Sequence, residues 1–131
     1  MLKPGDIIRY GYLWARQADA GEETGRKARP ACVVVRTPSN PAALFVFPLT
    51  SQNPGTGQPH LPVPEIECRR AGLDFPTYLV IDEYNRFLEN EAFDLEAPAP
   101  IGAFSTPFLE RIASAIKALS TARRVRGVVR R

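Results

Sequence analysis

The sequence predicts a mainly β (α+β) fold, a small antiparallel barrel with one C-terminal α-helix packed on it. Three observations carry this expectation. Short runs of β-branched and aromatic residues recur at close spacing, at 6–13, 31–35, 44–47 and 78–81. Thirteen prolines, about twice the usual share, interrupt the chain and favour many short strands and turns. Only 106–119 sustains a helical repeat. The 131 residues are enough for one core closed without disulfides or metal.

Taken in order, Asp6 to Leu13 alternates as a strand with Tyr10 and Tyr12 on one face. Ala15 to Ala28 is polar, with Gly21, Gly25 and six charged side chains, and reads as a long loop of the functional or mobile kind. Ala31-Cys32-Val33-Val34-Val35 is apolar throughout, as a strand buried on both faces requires. Leu44 to Phe47 reads as another strand, ended by Pro48. Residues 53–64, with Pro54, Pro59, Pro62 and Pro64, can form only loop or edge strand. Tyr78 to Ile81 is a fourth core strand running into Asp82 and Glu83.

A helical turn is expected at Cys68 to Ala71, stopped by Gly72. In the C-terminal helix, Thr106 is the expected N-cap, with Pro107 at the first helical position and Glu110 in the first turn. Leu109, Ile112, Ile116 and Leu119 form its apolar stripe. No repeat or internal boundary appears. Residues 1–122 are expected to form one domain, followed by an Arg-rich tail, 123–131, solvated and frayed unless it meets a polyanion.

The net charge of +3 conceals an asymmetry. The last nine residues hold five arginines, and without them 12 basic residues face 14 acidic ones. Residues 65–96 carry nine carboxylates and three arginines, whereas 1–36 carries seven basic and four acidic residues. A basic front with an acidic middle suits a polyanion or an acidic peptide as partner. No apolar run approaches the ~18 residues of a membrane span, and the N-terminus lacks a signal-peptide core. The expectation is a cytoplasmic chain with no membrane association.

Elimination narrows the chemistry. The single histidine, His60, cannot supply a two-histidine acid–base pair or a His-based metal site. Cys32 and Cys68 make neither a disulfide framework nor a zinc site. No G-x-S-x-G elbow is present. Gly21 to Lys27 lacks the spacing and following helix of a phosphate loop. Asp82 and Glu83 are neighbours on a strand and point to opposite faces.

What remains is a trio of cations, Arg26, Lys27 and Arg29, entering a buried strand, and Thr50, Ser51 and Gln52 leaving another. A guanidinium can clamp two phosphate oxygens and offset transition-state charge, so arginine plus hydroxyl suits phosphodiester chemistry. The same residues also allow a plain structural role. Arg29 could pair with Glu22 or Glu23, and Thr50-Ser51 could be turn residues.

In order and spacing these segments resemble the MazF/PemK-like toxins. Pro4-Gly5-Asp6-Ile7-Ile8 is similar to their opening G-D-I-[VI] strand, and Gly21-Glu22-Glu23-Thr24-Gly25 to their G-x-E-x-G loop. Arg29-Pro30-Ala31-Cys32-Val33-Val34 is similar to R-P-[AV]-x-V-V, and Pro48-Leu49-Thr50-Ser51 to P-[IL]-T-S. Glu65-Ile66 before Gly72-Leu73, Val80-Ile81-Asp82 and the closing helix after Gly102 continue the match across nearly the whole chain. The 15–28 loop is longer than the family's, and the Arg-rich tail lies outside the pattern.

The resemblance implies an SH3-like barrel of the CcdB/MazF/PemK type, forming a homodimer. It implies a type II toxin that cleaves single-stranded RNA (mRNA) without metal or cofactor, leaving a 2′,3′-cyclic phosphate and a 5′-hydroxyl. It carries catalysis to Arg29, which would stabilise the phosphorane and protonate the leaving oxygen, and to Thr50, which would position the phosphate. Arg26, Lys27, Ser51 and Gln52 would bind RNA. Asp82 would serve as an acid–base group or close a structural hydrogen bond. The inhibitor would be a cognate antitoxin with an acidic, amphipathic segment. A gyrase-inhibiting barrel and an inactive protein-binding module remain the alternatives, because one fold hosts several functions.

Overall fold

The apolar runs become strands of one eight-stranded sheet. A computed structural model describes residues 1–91 and 99–130. The strands are β1 (Asp6–Tyr10), β2 (Arg29–Arg36), β3 (Ala43–Thr50), β4 (His60–Pro62), β5 (Tyr78–Val80), β6 (Glu83–Leu88), β7 (Gly102–Ala103) and β8 (Arg126–Val129). The α-helices are α1 (Ala15–Asp19), α2 (Glu65–Ala71) and α3 (Thr106–Thr121). The sheet runs β4-β5-β3-β2-β1-β7, every neighbour antiparallel.

β3 is the pivot. One of its edges pairs with β2; the other pairs first with β6, over Ala43 to Val46, and then with β5, over Leu49 and Thr50. Changing partners along one edge bends the sheet into a half-barrel, and a bulge in β2 between Val33 and Val35 adds to the bend. Pro48 does not end this strand as the sequence suggested. It falls where β3 has left β6 and not yet met β5, a place where a missing N–H costs the ladder little.

From Ala31 to Val34 both faces of β2 are buried, as the apolar run requires; Val35, past the bulge, is exposed. Cys32 joins Phe47, Leu49, Cys68, Phe104, Phe108 and Ile112 beneath α2 and α3. Ala31 and Val33 join Tyr10, Tyr12, Trp14, Val46 and Phe87 on the other side. The fully buried Ile112 anchors α3; cutting it to alanine would cost roughly 3 kcal/mol.

The helix ends differ from expectation by small steps. The Ser105 hydroxyl accepts from the Phe108 amide at 3.4 Å, so Ser105, not Thr106, is the N-cap of α3. Glu67 fixes that cap by accepting from the Ser105 amide at 2.9 Å and its hydroxyl at 2.6 Å. α2 begins earlier than expected, directly after Pro64, and stops at Gly72 as expected, with φ 72°. Part of the expected 15–28 loop is α1.

The C-terminal segment is a correction. Residues 126–129 form β8, parallel to β6, and are not a free tail. Val128 is buried, and a Cβ at Gly127 would meet the Tyr84 ring, which would have to shift to admit it. Arg126 pairs with Asp19 of α1. Arg130 is buried, and its Nη1 donates to the Tyr10 hydroxyl and the Gly11 carbonyl, each at 2.8 Å. A guanidinium can be buried when acceptors meet its donors, which a count of charges cannot anticipate. Arg131, Asp94 and Glu96 lie outside the described residues. Among those described, no helix is long and apolar enough to cross a membrane.

Candidate functional site

Arg29 opens β2 and Thr50 closes β3. Pairing of Ala31 with Pro48 and Cys32 with Phe47 sets the register; carried two residues further, it puts Arg29 opposite Thr50, on one face of the sheet. Both line a cavity of about 330 Å³, together with Lys27, Ser51 and Gln52. The structure thus gathers five of the seven residues that the sequence singles out.

The Arg29 guanidinium is half-buried and lies 5.1 Å from the centre of the Trp14 ring. Among the described residues no carboxylate is within ion-pair distance of it. Burial, and then the charge of Arg16, hold its pKa below the usual arginine value. A desolvated cation without a counter-ion is costly for the protein, and an anion entering the cavity relieves that cost. The Thr50 hydroxyl accepts from the Gln52 amide at 3.2 Å, a turn contact that leaves its own proton free to donate outward.

Arg26 and Asp82 stand apart. Arg26 is exposed and is held by Glu22 through two hydrogen bonds, 3.0 and 2.7 Å, so the acidic partner considered for Arg29 goes to Arg26 instead. The i,i+4 spacing suits that pair, whereas Arg29 is already committed to the strand. Asp82 does not line the cavity; its carboxylate accepts from Gln58 at 3.4 Å. Its neighbour Glu83 points inward, accepting from the Tyr12 hydroxyl at 3.1 Å and the Ala15 amide at 2.9 Å, and burial pushes its pKa up. Asp82 and Glu83 therefore diverge, but not as neighbours on a strand: Asp82 sits in the bend between β5 and β6, and β6 begins at Glu83. His60 is occupied at the edge strand, with Nδ1 2.8 Å from the Gln58 carbonyl oxygen. Burial raises the pKa of both cysteine thiols, opposing the thiolate a nucleophile needs.

Several lining residues escaped the sequence reading. Arg9, on β1 beside Pro30, Asp74 after α2, and Thr77, whose hydroxyl donates to the Asp74 carbonyl at 2.6 Å, complete the cavity. Arg9 could have been noticed as the one cation in β1; Asp74 and Pro76 mark a turn at 74–77 but not its place beside the cavity. Gly25 holds the preceding loop against β1's exit, where a Cβ would collide with the Gly11 carbonyl. Among the described residues no three His, Cys, Asp or Glu side chains form a group that could hold a metal ion. The chain matches no protein-family model and no curated protein.

Proposed function

We propose that this chain is a MazF/PemK-like toxin with an SH3-like barrel, an endoribonuclease that cuts single-stranded RNA without a metal. The observation that carries this reading is the meeting of Arg29 and Thr50 in one cavity, with Arg29 half-buried and, among the described residues, without a carboxylate partner. In the proposed reaction the ribose 2′-oxygen attacks the adjacent phosphorus as its proton leaves to solvent. The bond from phosphorus to the 5′-oxygen breaks, and that oxygen takes up a proton from solvent, which balances the one lost by the 2′-hydroxyl. Arg29 clamps two non-bridging oxygens where negative charge builds, and the Thr50 hydroxyl orients the phosphate. Lys27, Ser51 and Gln52 bind the strand at the cavity rim.

The test is incubation of purified protein with long single-stranded RNA in EDTA, followed by analysis of the new ends. Cleavage to 2′,3′-cyclic phosphate and 5′-hydroxyl ends is expected, and RNA left intact would overturn the reading. The same reading carries a cytoplasmic homodimer and an acidic, amphipathic antitoxin segment over the cavity. The apolar groove of about 370 Å³ beside α3, lined by Val34, Val35 and Ile116, supports a protein partner there. Val35 is 44% exposed.

A further inference from the structure

Beside the cavity runs a second cleft of about 280 Å³, walled by Tyr12 and Trp14 and by four cationic side chains, Arg16, Arg26, Lys27 and Arg29. Lys27 and Arg29 line both spaces, so the two are neighbours sharing a cationic wall. Among the described residues no carboxylate lines the second cleft. Arg26 already has its counter-charge in Glu22. Arg16 forms no ion pair among the described residues; it feels the Glu83 carboxylate only at longer range, and its guanidinium lies 5.0 Å from the Trp14 ring centre.

Two guanidiniums therefore rest on one buried indole, at 5.0 and 5.1 Å, although like charges repel. The aromatic face offsets part of that repulsion and restricts both side chains. Trp14 is itself held on three sides: its amide donates to Gln17 at 3.2 Å, Tyr12 packs edge-on at 5.1 Å, and the Asn85 side chain pins the Leu13 backbone before it. Such a pair of cations on one ring, Arg16 exposed and Arg29 half-buried, is suited to two anionic groups on one flexible chain. Successive phosphates of a single strand have that character.

We infer that the Trp14 cleft is a second phosphate subsite, in which Arg16 receives the phosphate next to the one bound at Arg29. The inference rests on the proposed action on RNA, and its test uses binding, not cleavage. The probe is a labelled single-stranded octadeoxynucleotide, which lacks the attacking 2′-hydroxyl and stays uncut. Its affinity is read by anisotropy between about 50 and 200 mM salt, and emission of Trp14, the only tryptophan in the chain, reports on the cleft.

Arg16→Gln should weaken binding several-fold, make the slope of log affinity against log salt shallower by about 0.7 (one phosphate contact on a single strand), and abolish the emission change. Arg16→Lys, which keeps the charge, should retain most of the slope. Arg111→Gln is the matched control, because Arg111 also lies over a ring, Phe108, at 5.5 Å but on α3 away from the cleft; it should change nothing. An unchanged slope in Arg16→Gln, an equal loss in Arg111→Gln, or no binding by the wild type would each overturn the subsite. RNA left uncut while the Arg16 effect persists would remove the nuclease reading and keep the subsite. Cleaved RNA with an unchanged Arg16→Gln slope would do the reverse.

Discussion

Arg29, half-buried, and Arg130, buried, are both arginines partly or wholly withdrawn from water, at opposite ends of the chain's use of charge. Arg130 has been given acceptors: the Tyr10 hydroxyl, the Gly11 carbonyl and, at 3.3 Å, the Asn85 side-chain oxygen. It ties the last strand to the first and works as a structural clamp. Arg29 has an aromatic face and a repelling neighbour but no carboxylate among the described residues, and it opens onto a cavity. Burial alone therefore says little about an arginine's role. What separates the two is whether the fold itself supplies the acceptors.

The largest expected effect breaks the comparison on the Arg29 side. Arg29→Ala should reduce RNA cleavage by at least ~10²-fold, the scale of losing one preorganised donor to a developing oxyanion, with the urea midpoint nearly unchanged. Arg29→Lys should recover little, since an ammonium cannot make the two-point clamp. A purely structural Arg29 would give the opposite pattern, a lower midpoint with cleavage intact. Arg130→Ala tests the other side. It leaves the Tyr10 hydroxyl and Gly11 carbonyl short of a donor and should cost about 2 kcal/mol in urea unfolding. An Arg130→Ala protein as stable as the wild type would remove the clamp.

Thr50→Val keeps the shape and deletes only the hydroxyl. A drop of about tenfold in kcat with little change in KM is expected, the worth of one hydrogen bond made in the transition state. A rise confined to KM would make Thr50 a binding group only.

Glu83 offers a pH test of the framework under Trp14. Its folded-state pKa is raised by burial above an ordinary value near 4.5. A raised carboxyl pKa favours the folded state when the proton is on. That contribution is full below the ordinary value and is lost as pH rises through the raised one. Glu83→Gln, whose amide oxygen can still accept from Tyr12 and Ala15, should flatten this part of the pH–stability curve. A curve identical to wild type would show that Glu83 does not carry it. The smallest effect concerns the exposed Glu22–Arg26 pair. Glu22→Gln should leave the urea midpoint within error yet tighten binding of single-stranded nucleic acid by freeing Arg26.

The strands under the site were largely readable from the sequence. Ala31 to Val35 and Leu44 to Phe47 announce two-faced burial by composition alone, and Gly72 announces its helix stop, because these depend on local backbone preference and on apolar pattern. Arg29 and Thr50 emerged by elimination and by resemblance, and the structure brings them to one cavity. The resemblance makes Arg26 an RNA contact and Asp82 an acid–base or structural group; the structure leaves Arg26 on the neighbouring cleft, tied to Glu22, and sets Asp82 against Gln58. Residue type shows what a side chain can do, while register and neighbouring loops decide where it does it.

From sequence alone follow the β-rich class, the closing helix with its stripe through Ile112, and the concentration of cations before β2. These need only nearest neighbours along the chain. Tertiary structure alone decided that Arg29 opens onto a cavity shared with Thr50, that Trp14 gathers two guanidiniums, and that the arginine-rich end closes the sheet as β8. The physical reason is distance along the chain: Arg130 meets Tyr10 across 120 positions. Whether a charged residue is solvated, paired or left open depends on acceptors that only folding brings near.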